Sequence, residues 1–577
     1  MDPRASDKKP SELLQTLMSY RRLFLFTALF SFIINMLMLT PSIYMLQVYD
    51  RVMASRNMET LLMLTLIMLF LVVIMGALEF VRSQTLVRLG ARMDARLNKR
   101  VFDAAFQRNL KAAGGNPSQA LMDLTNVRQF LTGAGVLVLF DAPWFPVYLA
   151  VLFLMHPILG WLSLAGALVL VGLTALTEKV TEPPIMAANK EQIVANGLTN
   201  ANLRNAEVIE AMGMIGGIRR RWLVRHKKIL ALQTLASDRA GVISAFTKFV
   251  RIVLQNLLMA VGAYLALNQD LSPGIMVVGS LLGGRSMAPV EMLIGSWKLF
   301  ISARESYGRL NGLLNQFPKS NPGQVLPKPL GKLTVSNLSV LPPGANAPVL
   351  RNLNFEIQPG EVLGIIGPSA SGKSCLARLL VGVWRPQSGS VRLDGAEIYQ
   401  WDKERLGPYM GYLPQDIELF QGTISENIAR LGHVNDEWVT MAADKAGVHE
   451  MILHLQNGYD TEIGVDGGIL SGGQRQRIGL ARALYGSPSI VVLDEPNSNL
   501  DDAGDLALIN AIRNLKAEGK TVVLISHRSA VLGIADKILF LRGGTQQAFG
   551  SRDQVFAMLN SPSVVQVHPQ QAGGQRA

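Results

Sequence analysis

The chain has 577 residues, 49% of them hydrophobic and 17% charged, with a net charge of +12 and a mean hydropathy of +0.25. That length exceeds one ordinary core, and that hydropathy excludes a conventional soluble enzyme in favour of a membrane protein. One cysteine, Cys375, excludes an intramolecular disulfide and a multi-cysteine metal cluster.

Residues 1–20 read as a short polar cytosolic segment. The apolar run that follows is too long for a signal-peptide core and has no small-residue cleavage pattern, so it is expected to stay as a first helix. Six stretches match the roughly 20 apolar residues that a bilayer core requires. They lie near 23–46, 60–80, 134–154, 158–177, 243–268 and 272–300. Lys248 and Arg251 interrupt the fifth, and Arg285 and Glu291 the sixth. Those helices are expected to extend beyond the bilayer or to line a wet cavity, which makes Lys248, Arg251 and Arg285 a candidate translocation path for an acidic chain. The competing reading pairs Arg285 with Glu291 or lets all three cations snorkel to the interface.

The basic residues gather beside apolar spans, where they set orientation, so the net charge does not argue for nucleic acid as a partner. Between the second and third spans lie Arg82, Arg88, Arg92, Arg96, Lys99, Arg100, Arg108, Lys111 and Arg128. Between the fourth and fifth lie Arg219, Arg220, Arg221, Arg225, Lys227 and Lys228. Both loops are expected to be cytoplasmic, with both chain termini on the same side, although Arg51 and Arg56 dissent mildly. The helical periodicity of these loops leaves two readings open, cytoplasmic stalks or plain anchors. The membrane domain is thus placed at 21–314, a linker with four prolines at 315–330, a soluble α/β domain at 331–560, and a polar, disordered tail at 561–577.

In the second half, the apolar strand 362–366 runs into Gly367, Pro368, Ser369, Ala370, Ser371, Gly372, Lys373 and Ser374, and then into a helix opening at Cys375. This is the GxxxxGK[ST] phosphate loop in the strand, loop, helix setting that its chemistry needs. Glycines let backbone N–H groups converge on phosphate oxygens, the helix presents its positive end, Lys373 reaches the terminal phosphates, and Ser374 can ligate Mg²⁺. ATP and Mg²⁺ are therefore the expected cofactors. Cys375 reads as a small packing residue and not a redox switch. A second apolar run, 490–493, ends at Asp494 and Glu495. Asp494 suits Mg²⁺, directly or through water, and Glu495 suits a base that orients the attacking water; the competing reading is an acidic pair capping the next helix.

Leu470, Ser471, Gly472, Gly473 and Gln474, followed by RQRIGLARAL, resemble the signature sequence of ATP-binding-cassette (ABC) ATPases. The resemblance implies a six-span α-helical membrane half joined to an α/β P-loop nucleotide-binding domain. It also implies that Ser471 and Gly473 of one subunit close over the γ-phosphate held by Gly372, Lys373 and Ser374 of another, so that the chain works as a homodimer. Gln415 resembles the Q-loop glutamine, a further Mg²⁺ ligand; Asp501 resembles the D-loop aspartate, and His527 the switch histidine. The family usually supplies an aromatic residue near position 340 to stack on adenine, and residues 338–344 (LSVLPPG) hold none.

Membrane half first and cassette second resembles an exporter half-transporter. Residues 389–402, 411–430 and 494–501 (DEPNSNLD) look like the type I secretion ATPases of the alkaline-protease exporter branch, as do 44–52 (YMLQVYDRV) and 141–144 (DAPW). That branch implies ATP-driven export of an unfolded polypeptide with an uncleaved C-terminal signal. It implies a periplasmic adaptor, an outer-membrane channel and a bacterial inner-membrane location. The short N-terminus leaves no room for an accessory peptidase domain. A lipid or drug exporter, or a nucleotide-gated regulator or channel, remains the alternative.

Overall fold

The computed structural model describes residues 11–111, 118–268, 271–319, 326–464 and 470–560, the side chains of 134, 289–291, 294 and 560 excepted. The tail expected to be disordered, residues 269–270 and the side chain of Glu291 lie outside this set. The chain divides near Lys319 into two compact units.

The first unit is helical throughout. A short helix, Glu12–Ser19, precedes the first span where the sequence reads as a polar segment; Leu13 and Thr16 are buried and Ser11 caps it. Five stretches, 21–55, 58–111, 118–155, 157–203 and 215–267, are long and apolar enough to cross a membrane. The charged sixth, Pro273–Gln316, is a continuous helix of 44 residues that runs into the segment assigned to the linker. At 1.5 Å per residue, the 54 residues of Met58–Lys111 span about 80 Å, far more than a hydrocarbon core of about 30 Å. The same holds for Pro157–Leu203 and Ile215–Leu267, with 47 and 53 residues. The long basic loops are therefore helical extensions of the spans.

Two motifs of this half acquire a physical role. Asp50, in a π-helical turn Val48–Val52, accepts from the Ser272 hydroxyl at 2.6 Å and from the Gly274 amide at 2.9 Å, so it caps the start of the sixth long helix. Asp141 ends the helix Ala134–Asp141, just before a 3₁₀ turn at Ala142–Trp144. Its carboxylate accepts from Arg82 at 3.1 Å and from Asn35 at 2.9 Å. Arg82 also donates to Ser31 at 2.9 Å, and the Tyr148 hydroxyl donates to Asn35 at 3.1 Å. Arg82 is only 4% exposed, so it leaves the set of loop cations that the sequence suggested and joins a buried network of four helices. Arg285 is half-buried and its guanidinium donates to the carbonyl of Met38. Lys248 is exposed and Arg251 half-buried.

The second unit is built on a six-stranded sheet ordered Thr545–Ser551, Lys537–Arg542, Val362–Ile366, Thr521–Ile525, Ile490–Asp494 and Met410–Leu413. All but the first of these run parallel. Both faces are covered, which is why the strands read as unbroken apolar runs in place of an alternating pattern. A smaller antiparallel sheet, ordered Leu350–Ile357, Leu333–Val340, Ser388–Leu393 and Ala396–Glu397, shares an apolar cluster with it. Ile525 pairs with Asp494, and Ile365 with both Ile525 and Leu539. The carboxyl ends of the central strands therefore finish together, at the edge where parallel sheets bind ligands.

Candidate nucleotide site

The loop after Val362–Ile366 bends through left-handed backbone at Gly367 (φ +154°), Ala370 (φ +62°) and Gly372 (φ +96°). Gly367 could be nothing else, since an added Cβ would stand 2.2 Å from the carbonyl oxygen of Leu541. Lys373 opens the helix Lys373–Leu380 and turns its ammonium onto the carbonyls of Gly367 (2.8 Å) and Pro368 (3.1 Å). Burial lowers its pKa, and the charges of Glu495 and Asp494 oppose that shift. Cys375 packs against the apolar cluster and burial raises its thiol pKa, as suits a packing residue.

Asp494 is 2% exposed at the end of its strand. Burial pushes its carboxyl above the usual range, against a hydrogen bond with Ser374. Its Oδ1 has no hydrogen-bond partner, and an orphaned buried carboxylate oxygen beside a hydroxyl is a site that a hard cation would complete. No cluster of three or more His, Cys, Asp or Glu is present among the described residues. A cation here would thus be held by few protein groups together with phosphate, the habit of Mg²⁺ at nucleotide sites.

Glu495 has φ +50°, left-handed backbone that a non-glycine residue adopts only when its surroundings enforce it. Its amide donates to the Ile525 carbonyl at 3.0 Å. Its carboxylate accepts from Gln415 at 3.2 Å, and the Nε2 of His527 stands 3.5 Å from its other oxygen. Gln415, Glu495 and His527, three of the candidate residues, are thus brought together. Asp501 is not part of that cluster: it caps the helix Asp502–Ala517 through the Gly504 amide at 2.9 Å, and Arg477 lies 3.5 Å away.

Ser471 and Gln474 form a capping box at the start of the helix Gly472–Leu484. An added Cβ on Gly473 would stand 2.8 Å from the Asn499 carbonyl oxygen, so the loop after Glu495 passes directly over the glycines of this turn. Leu470 is buried ahead of them.

Three positions escaped sequence reasoning. Gln476, 1% exposed, donates to the carbonyls of Glu495 (3.3 Å) and Pro496, and accepts from the Asn499 amide at 2.9 Å. Ser526 donates to the buried Asn497 at 3.2 Å, joining the loop after Glu495 to the peptide that carries His527. Arg430 donates to five carbonyls, those of Arg482, Gly407, Met410, Ala483 and Tyr485. All three stand inside or beside the motifs quoted above, but their partners are 19 or more residues away and no local pattern announces them.

A membrane-spanning helical unit and a parallel-sheet unit carrying a phosphate loop, a paired acidic strand end and a capped glycine turn together define an ATPase coupled to membrane transport. Residues 350–498 match the family described as ABC transporter, and residues 24–284 the ABC transporter transmembrane region. The type I secretion system ATP-binding protein PrsD of Rhizobium meliloti (strain 1021) is 43% identical over 95% of this chain and 94% of its own length. The leukotoxin translocation ATP-binding protein LktB of Mannheimia haemolytica is 30% identical over 91% of this chain and 75% of its own. A bacterial Atm1-family ABC exporter with ATP bound shares the fold, at a TM-score of 0.79 and 21% identity over 94% of this chain and 97% of that one. The chain belongs to the ABC transporters, among the type I secretion system ATP-binding proteins.

Proposed function

We propose that the protein exports an unfolded polypeptide, bearing an uncleaved C-terminal signal, across the bacterial inner membrane in one step. It works as a homodimer with both termini in the cytoplasm, a periplasmic adaptor and an outer-membrane channel completing the route. The observation that carries this reading is the combination of a full-length likeness to PrsD with an intact base, switch and signature at Glu495, His527 and Ser471. A regulator or gated channel has no need of that full set. The test is ATP hydrolysis by the purified chain in lipid: stimulation by a C-terminal passenger peptide supports polypeptide export, whereas stimulation only by lipid or drug refutes it.

In this reading the backbone from Gly367 to Gly372, with Lys373, binds the ATP phosphates, while Ser471 and Gly473 of the second subunit cover the γ-phosphate. Mg²⁺ would be held by Ser374, Asp494 and Gln415, and would neutralise charge on the phosphate oxygens. Glu495 accepts the proton of the attacking water, His527 and Gln415 fix the Glu495 carboxylate, and Asp501 steadies the turn that faces the partner subunit.

With no aromatic residue among residues 338–344, purine binding rests on other contacts, and discrimination between ATP and GTP is weak. A competition assay in which ATP wins by orders of magnitude would refute that. Lys248, Arg251 and Arg285 form the cationic lining of the path. If Arg285→Glu leaves secretion of an acidic passenger unchanged, that assignment fails.

A further inference from the structure

We propose that Gln476 is a positioning residue for the general base, locking the backbone of Glu495 to the signature helix of the same subunit. The inference rests on the reading of Glu495 as the base.

Glu495 sits in left-handed backbone at φ +50°, and something must hold it there. On one side its amide is fixed by the Ile525 carbonyl. On the other, the only side-chain amide reaching its carbonyl, among the described residues, is that of Gln476. Gln476 stands one turn into Gly472–Leu484 and is 1% exposed, so water cannot replace it. Its Nε2 serves the carbonyls of Glu495 and Pro496 and lies 3.4 Å from the Ser498 hydroxyl, while its Oε1 receives the Asn499 amide. One buried amide therefore touches four residues between 495 and 499 of the loop that leaves the base, and the carbonyls it serves have no other side-chain donor among the described residues. Removing the donor would strand the buried Pro496 carbonyl, leave the Glu495 carbonyl with the Ser498 amide at 3.2 Å, and loosen the peptide that aims the Glu495 carboxylate at Gln415 and His527.

The test uses the full-length protein in lipid with Gln476→Met, which keeps the volume and removes the donor, and Gln476→Glu, which sets a carboxylate against the two carbonyls. Both are expected to lower kcat by about tenfold to a hundredfold, the scale of a small displacement of a reacting group. KM for ATP should stay within about threefold, because the phosphate-binding groups are untouched. MgATP should still raise the melting temperature of both variants, which separates misplacement from misfolding. Unchanged kcat in Gln476→Met overturns the proposal, and so does a collapse of ATP binding in parallel with kcat. Glu495→Gln is run alongside: turnover retained there refutes the base itself, whereas loss there with normal Gln476→Met refutes only the positioning role.

Discussion

Gln415 donates to one oxygen of Glu495 across 3.2 Å while the Nε2 of His527 stands 3.5 Å from the other. A carboxylate bonded at one oxygen and faced by a ring nitrogen at the other is pre-aimed, and its task is to take a proton. Glu495→Gln keeps the shape and removes the basicity, so kcat should fall by about 10²- to 10⁴-fold, the usual worth of general base catalysis. ATP affinity should be retained, since Lys373 and Ser374 are unaltered. Steady-state turnover and equilibrium binding of a labelled nucleotide check the two halves of this expectation. Gln415→Ala should cost less, because His527 still contacts the carboxylate.

Asp494 offers an unpartnered buried oxygen next to Ser374. Asp494→Asn should raise the Mg²⁺ concentration needed for half-maximal turnover by about tenfold or more, since even a group that only supports a metal ligand is worth that much. Chelation of the metal should abolish turnover in the wild type. Titration of the metal at fixed ATP measures both, and identical Mg²⁺ curves for variant and wild type would remove Asp494 from the site.

Arg430 holds together the end of the signature helix and the start of the strand Met410–Leu413 through five carbonyls. Lysine has the charge but not the planar fork, so Arg430→Lys should recover only part of the function of the arginine. Arg430→Met should destabilise the nucleotide unit by roughly 3 kcal/mol or more, because buried acceptors lose charged donors. Thermal unfolding of the full chain, followed by limited proteolysis, reads the loss. A melting curve equal to wild type would deny Arg430 this bracing role.

Much of the fold was legible because the determining signals are local. The phosphate loop, the acidic strand end and the signature turn each need particular residues at neighbouring positions, and the spans need only runs of apolar side chains. What stayed hidden depends on distant partners. Arg82 looked like one more cation near the end of a span, since only the fold sets Asp141 and Asn35 beside it. Gln476 is one polar residue in a helix full of them until the loop of Glu495 is laid across it. Glu12–Ser19 reads as part of a polar terminus because the charged run before it masks its short amphipathic stretch, of which Leu13 and Thr16 are buried. The stalks were open between two readings because charge can orient a helix without saying how far it continues.

Asp50 reaches from the turn after the first span to the amide of Gly274, at the start of the sixth. Asp50→Ala should free that helix end and cost about 1 kcal/mol, the usual worth of a cap. Gly274→Val should cost more, since even a Cβ there would stand 2.6 Å from the Asp50 carboxylate. Both are read from melting temperatures in detergent, and Gly274→Val melting above Asp50→Ala would contradict the geometry.

Arg82 and Asp141 form a buried pair at 3.1 Å, their side chains 5% and 14% exposed. Burying two charges is costly, and their attraction with the hydrogen bonds of Ser31 and Asn35 offsets that cost only while both are present. Asp141→Asn leaves Arg82 with Glu79 at 3.5 Å, an exposed and weak substitute. Arg82→Met leaves the carboxylate with one neutral donor, Asn35. Each single change should therefore destabilise the membrane unit by about 3–5 kcal/mol, whereas Arg82→Met with Asp141→Asn together should cost less than the sum, because no uncompensated charge remains. A double-mutant cycle on thermal unfolding in one detergent measures the coupling. Strict additivity would mean that the two residues act independently.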